Sequence, residues 1–317
     1  MTSMPPESHF EFKNMLWLEV TNFCNLNCSH CYNESGPERA IEPLISPARY
    51  RDILVEARQM GFVRVQFIGG EPMFYPHLKE LVEHSCLVGF QEIEIFSNLT
   101  TAPAWLLSPA FRHVRVAFSF YSDDAAVHDA ISQTPGSFAR TVATLRKVVA
   151  AGLDVRAGYI EMLANTGHYE RARAYLRTLG IYEVGFDAVR EFGREGRGEP
   201  SMSNLCGQCS AGNLSIDVEG NVSGCIMSKP WAFGNVNKVG LDDLFHSPNR
   251  REFVRELKRN VQERKPIDPV VMCVPYDRGD CAPQCAPSCY PSQGCNPCSP
   301  HGGQPCNPNG DCNPYRK

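Results

Sequence analysis

From Met15 to about Val189, short apolar runs alternate with longer amphipathic stretches. LWLEV (16–20), VRVQFI (63–68), EIEIF (92–96), VRVAFSF (114–120), DVRAGYI (154–160) and YEVGFDAV (182–189) have the apolar alternation of strands. Helical periodicity fills the intervals near 47–60, 76–88, 102–108, 137–151 and 167–179. Ser46-Pro47 and Thr166-Gly167 read as helix starts, and Gly61, Gly152 and Gly180 as helix ends. Repeated strand–helix units imply right-handed crossovers and a parallel sheet. Six strands are too few to close an eight-stranded barrel. The expected fold is therefore α/β, a partial (β/α)6 parallel barrel, with ligands at the C-terminal ends of its strands.

After Arg190 the pattern changes. REFGREGRGEPSMSN (190–204) is glycine-rich and charged, and reads as a linker over 191–205 or a loop across the barrel mouth. A hairpin follows, LSIDV (214–218) and VSGC (222–225) around Glu219-Gly220-Asn221, and then one helix over 241–259. From Cys273 onward there is no periodicity. Eight times a cysteine is followed by any residue and then proline, starting at Cys273, Cys281, Cys285, Cys289, Cys295, Cys298, Cys306 and Cys312. Proline fixes its own φ and biases the preceding residue toward an extended shape. Such a segment builds no hydrophobic core, and metal coordination is the expected source of its fold. The expected division is a tail over 1–14, the barrel over 15–190, the linker over 191–205 and a small irregular cysteine-rich domain over 206–317.

A chain of 317 residues can bury one large core plus a smaller module. The formal net charge of −4 gives no basic footprint, so no nucleic-acid partner is expected. No apolar run is long enough to span a bilayer, and MTSMPPESHFEFK lacks a secretion pattern, which predicts a cytoplasmic protein. Thiols stay reduced there, so the fifteen cysteines read as metal ligands rather than disulfides. Three lie within Cys24–Cys31 and eleven after residue 205, which predicts two separate metal sites. Cys86 stands alone and reads as a buried core thiol.

CNLNCSHC places Cys24, Cys28 and Cys31 directly after the first strand. Three thiolates on a four-iron cubane leave one iron open to the amine and carboxylate of a small molecule. The competing reading is a zinc ion with His30 as fourth ligand. His30 lies between two of the cysteines and is badly placed to join both on one ion.

The spacing C-x3-C-x-φ-C resembles the cluster motif of the radical S-adenosylmethionine (radical SAM) superfamily. Gly69-Gly70-Glu71-Pro72, closing the second strand, resembles its GGEP motif. The resemblance covers residues 15 to about 190. It implies a 4Fe–4S cluster on Cys24, Cys28 and Cys31 with one open iron, and S-adenosylmethionine bound there. It also implies that His30 packs near the adenine and that the Gly69–Pro72 turn, with Glu71, holds the cofactor's amino group. Ser97 and Asn98 then stand near the ribose, and Ser119 near the methionine carboxylate. Leu99 takes the place where the family often has glycine.

Cys209-x10-Gly220-x4-Cys225 resembles the opening of the SPASM module, which carries auxiliary clusters, and Cys206 adds a C-x-x-C. The resemblance implies one or two auxiliary 4Fe–4S clusters. Cys206, Cys209, Cys225, Cys273, Cys281, Cys285, Cys289, Cys295, Cys298, Cys306 and Cys312 are the candidate ligands. A zinc knot through pairs such as Cys295 and Cys298, or a metal-scavenging tail, remains an alternative for the last stretch.

The implied chemistry is reductive cleavage of S-adenosylmethionine to methionine and a 5′-deoxyadenosyl radical, which removes a hydrogen from the substrate. An electron donor such as flavodoxin or ferredoxin is implied with it. SPASM relatives mostly modify ribosomally made peptides, by cross-linking, thioether formation or epimerisation. About fourteen residues precede the first strand, which reads as no room for an N-terminal peptide-recognition domain. A sugar or nucleoside substrate in natural-product biosynthesis stays open, by dehydrogenation, epimerisation or decarboxylation. So does a non-enzymatic iron–sulfur carrier or sensor, for which the GGEP turn has no use.

Overall fold

The apolar alternation becomes six parallel strands. A computed structural model describes residues 15–210 and 212–262. Its barrel portion runs β1 (Met15–Glu19), α1 (Pro47–Gln59), β2 (Arg64–Ile68), α2 (Leu78–Leu87), β3 (Glu92–Ser97), β4 (Val114–Ser119), α3 (Ala125–Ser132), α4 (Ser137–Ala150), β5 (Asp154–Glu161), α5 (Tyr169–Thr178) and β6 (Val184–Ala188). Neighbours in the order β6-β5-β4-β3-β2-β1 all pair in parallel. The outer face of the sheet buries Leu16, Leu18, Phe67 and Ile95 in one core with Tyr50 and Ile53 of α1 and Leu81 of α2. Ser46 opens α1 as the motif predicts, its side chain accepting from Arg49 N at 3.1 Å. The inner face is polar midway along the strands. Arg156 donates to both carboxylate oxygens of buried Glu94 at 2.7 Å, and Gln66 also bonds that carboxylate. These buried charges are paired, as burial demands.

The sheet continues past residue 190. β7 (Leu214–Ile216) pairs in parallel with β1, from Leu16↔Leu214 to Leu18↔Ile216. β8 (Asn221–Ser223) and β9 (Gly234–Asn235) follow antiparallel, so one nine-stranded sheet crosses the expected boundary. Residues 191–205, expected as a linker or a loop across the mouth, contribute Phe192, Met202 and Leu205 to the core. The described part of 206–262 is regular, ending in α6 (Leu241–Phe245) and α7 (Pro248–Gln262). Pro248, which has no N–H to donate and cannot sit inside a helix, splits the single helix expected over 241–259.

Three other expectations change. No helix forms over 102–108, where Pro103 and Pro109 restrict the backbone and turns carry Leu106 and Phe111 into the core. α3 forms without having been predicted, capped by Asp124, whose Oδ1 accepts from Ala126 N at 2.8 Å. Cys86 is exposed, because α2 buries the stripe Leu78, Leu81, Val82 and Ser85 instead. Cys273, Cys281, Cys285, Cys289, Cys295, Cys298, Cys306 and Cys312 lie outside the described residues. Among the described residues no helix is long and apolar enough to cross a membrane.

Candidate active site at the mouth of the partial barrel

Two loops at the C-terminal ends of β1 and β2 interlock through their backbones. Gly70 N donates to Thr21 O at 2.6 Å and Glu71 N to Phe23 O at 2.7 Å. A Cβ on Gly70 would stand 2.0 Å from Phe23 O. One on Gly69, where φ is +144°, would stand 2.4 Å from Thr21 O. Only glycine permits this approach, which explains the pair ahead of Glu71-Pro72.

Glu71 is fully buried, and protein donors occupy both its oxygens. Oε1 accepts from Met73 N at 3.0 Å and Ser97 Oγ at 2.8 Å, and Oε2 from Asn98 N at 2.7 Å. Burial pushes the carboxyl up to about 7 against these donors. Asn98 spans the site. Its Nδ2 donates to Asn25 Oδ1 at 2.9 Å and to Cys24 Sγ at 3.6 Å, and its Oδ1 accepts from Thr100.

The loop bearing Cys24, Cys28 and Cys31 rests on the end of α3. Ser29 N donates to Ile131 O at 2.9 Å and Asn27 N to Ser132 O at 3.2 Å, using carbonyls that a helix end leaves unpaired. Tyr121, just beyond Ser119 at the end of β4, brings its hydroxyl within 3.7 Å of Cys28 Sγ. His30 lies edge-on to Tyr121, ring centres 4.9 Å apart. Burial, and then the Arg194 charge, push its imidazole down to about 4, so the ring is neutral, and its Nδ1 is buried without a partner among the described residues.

The packed segment after β6 holds this loop from above. Arg194 Nη1 donates to Cys28 O at 2.9 Å, Nη2 to Ser35 O at 2.6 Å, and its backbone N to Cys31 O at 3.1 Å. Gly193 adopts φ +56°, and a Cβ there would meet Cys31 O at 2.3 Å. Every predicted residue of this site is therefore gathered at one mouth. Tyr121, Asn25, Thr100 and Arg194 were not anticipated; a lone aromatic or cation in a loop carries no spacing signal.

The thiol chemistry suits a cluster. Burial pushes Cys24 up to about 12 and Cys28 up to about 11, with the neighbouring thiols adding to both. Thiolates here need the positive charge of a metal centre. Among the described residues no three His, Cys, Asp or Glu side chains close on a single metal ion, which a zinc site including His30 would require. A cubane, whose thiolate ligands sit on separate irons, does not need them to converge on one point.

A second thiol group lies beside β8. Cys209 Sγ donates to Cys225 Sγ at 3.0 Å, a contact that pulls the Cys225 thiol below its ordinary value. Cys206 stands close enough to hydrogen-bond Cys209.

A profile of the radical SAM superfamily matches residues 18–177, and one of the SPASM iron–sulfur cluster-binding domain matches 206–274. The antilisterial bacteriocin subtilosin biosynthesis protein AlbA of Bacillus subtilis (strain 168) is 25% identical over 267 residues, 73% of this chain and 59% of that protein. A PqqA peptide cyclase of Gluconobacter oxydans (strain 621H) is 28% identical over 186 residues, 56% of this chain and 50% of that one. The chain thus spans between half and three fifths of the length of these relatives. In fold it resembles Streptococcus suis SuiB bound to precursor peptide SuiA, at 13% identity and a TM-score of 0.61, over 77% of this chain and 67% of that one. The superfamily match takes in half of the chain and the strands β2 to β5 whose ends assemble the mouth: the chain belongs to the radical SAM superfamily.

Proposed function

We propose that this chain is a radical SAM enzyme that modifies a ribosomally made peptide. The observation that carries the substrate class is the sequence likeness to a bacteriocin biosynthesis protein and to a peptide cyclase. The fold is consistent with it. Among the described residues β6 ends the sheet with no strand beyond it, which leaves a lateral opening for an extended chain to reach the mouth.

In this reading Cys24, Cys28 and Cys31 hold a 4Fe–4S cluster, and S-adenosylmethionine binds at its open iron. When bound, these groups supply reductive carbon–sulfur cleavage and hydrogen-atom abstraction. The chain's own residues bind and orient. With protein donors on both its oxygens, the Glu71 carboxylate locks the Gly69–Pro72 turn onto β3, and the turn's backbone receives the cofactor's amino group. Ser97 and Asn98 border the ribose. Ser119, with Tyr121, borders the methionine carboxylate. Neutral His30 offers the adenine a ring face and a polar nitrogen. Cys206, Cys209 and Cys225, with cysteines after residue 262, ligate one or two auxiliary clusters. A flavodoxin or ferredoxin supplies the electron, in the cytoplasm.

The test incubates reduced enzyme with S-adenosylmethionine and candidate substrates, then measures 5′-deoxyadenosine and product mass. A peptide lighter by two hydrogens indicates cross-linking or oxidation. Unchanged mass with deuterium taken from heavy water indicates epimerisation. If only a sugar or nucleoside is converted, the peptide reading fails.

A further inference from the structure

Glu19 closes β1 with its carboxyl wholly buried, where a lone charge would cost several kcal/mol. Its partner comes from far along the chain. Lys229 Nζ donates to Glu19 Oε2 and to Asn33 Oδ1, and stands 5.7 Å from the centre of the Tyr32 ring. Tyr32 OH donates to Glu19 Oε1 at 3.4 Å. Asn33 Nδ2 continues to Asn22 Oδ1 at 3.1 Å, so the contact spreads across the cluster loop.

Lys229 is delivered by the turn that carries Cys225. Cys225 N donates to Ser228 Oγ at 2.9 Å, and Ser228 N donates back to Cys225 O at 3.0 Å. Tyr32 and Asn33 directly follow Cys31. Tyr32 is partly buried, with its hydroxyl on Glu19 and its ring beside Lys229. Stability does not demand charge here, because an apolar pair of similar volume fills such a space without desolvating two ions. What a paired cation with three acceptor and ring contacts adds is orientation.

We infer that Lys229 is a positioning residue that couples the two thiol sites, fixing the Cys31 loop relative to the Cys225 turn through Glu19, Tyr32 and Asn33. The inference rests on reading Cys24, Cys28 and Cys31 as ligands of the cofactor-binding cluster and Cys225 as a ligand of an auxiliary one. Coupling of this kind is reciprocal, so a change at either site is felt at the other.

The test uses the full chain as wild type, Lys229→Met, Lys229→Arg and the double variant Glu19→Gln/Lys229→Met. Two quantities are read. One is amide hydrogen exchange across residues 31–36 in cluster-free protein. The other is the electron paramagnetic resonance spectrum of the reduced cluster with and without S-adenosylmethionine. Lys229→Met should speed exchange severalfold and broaden the cofactor-bound spectrum, and Lys229→Arg should recover part of both. The double variant removes the unpaired carboxylate and should recover thermal stability while exchange and spectrum stay altered. The inference is overturned if the double variant returns both to wild type, because Lys229 then only neutralises Glu19. It is equally overturned if Lys229→Met changes neither. If wild type shows no cofactor-dependent spectrum, the cluster assignment fails instead, and the exchange rates still decide the coupling.

Discussion

Ser97 Oγ donates to Glu71 Oε1 at 2.8 Å, so the turn after β2 and the end of β3 move as one piece. The same hydroxyl accepts from Leu99 N at 2.8 Å. The two halves of the proposed cofactor cradle, amino-group side and ribose side, are thereby tied through one buried side chain.

Ser97→Ala should leave a buried donor at Leu99 N unpaired and one oxygen of Glu71 short of a bond. The expected loss is about 1–3 kcal/mol in denaturant unfolding. Cofactor affinity should fall while cluster iron stays unchanged. Equal affinity in the two proteins would reduce Ser97 to a purely structural part.

Leu99 holds φ at +54°, a left-handed conformation that costs a non-glycine residue about 1–2 kcal/mol. Glycine, the residue the resemblance leads one to expect here, would adopt this conformation without that strain. Leu99 is also fully buried, and truncating such a leucine costs about 2–5 kcal/mol. The second effect is larger, so Leu99→Gly should lower stability despite relieving the backbone. A melting temperature above wild type would show that strain dominates here.

Burial, opposed by the Asp129 charge, pushes His128 down from 6.5 to about 4. The ring packs against Phe120, Tyr121 and Phe138. A histidine with a depressed folded value is neutral in the fold and takes up its proton more readily when unfolded. Its contribution to stability is therefore fully present above 6.5 and is lost as pH falls through about 4. The loss approaches about 3 kcal/mol at about 1.4 kcal/mol per unit. His128→Phe should flatten the urea-midpoint profile across that window. α3 carries both His128 and the carbonyls that support the thiol loop, so hydrogen exchange at Ser29 should rise with the same pH dependence in wild type only.

What was legible in the sequence had a local signal. Period-two alternation located all six barrel strands to within two residues, because each strand buries one face against helices. Cys24, Cys28 and Cys31 and the turn 69–72 stood out because each motif is contiguous, although the contacts that join them to each other and to Ser97 and Asn98 are long-range. The failures share the opposite property. α3 is only eight residues long, too short for periodicity to distinguish it from a loop. Phe192, Met202 and Leu205 are isolated apolar residues in a charged stretch, and tertiary packing alone makes them core. Arg194 and Lys229 meet the thiol loop from 166 and 196 residues away, and no spacing rule joins residues that far apart.

The last prediction concerns iron. Eleven cysteines follow residue 205, but only Cys206, Cys209 and Cys225 lie before residue 263. A fully protein-ligated cubane takes four thiolates, so these three complete no auxiliary cluster without a cysteine from 263–317. Deleting 263–317 keeps every described strand and helix, including the β1–β7 pairing that truncation at residue 190 would destroy. The anaerobically reconstituted full chain should hold about 8 to 12 irons, and the deletion should fall toward about 4. The complementary variant, with Cys24, Cys28 and Cys31 all replaced by alanine, should keep the auxiliary iron and lose all 5′-deoxyadenosine formation. Iron, acid-labile sulfide and zinc are measured together, because the alternatives separate there. Full iron in the deletion would place every cluster ligand before residue 263. Stoichiometric zinc in the full chain with only about 4 irons would make the tail a zinc module, since zinc is satisfied by paired cysteines such as Cys295 and Cys298.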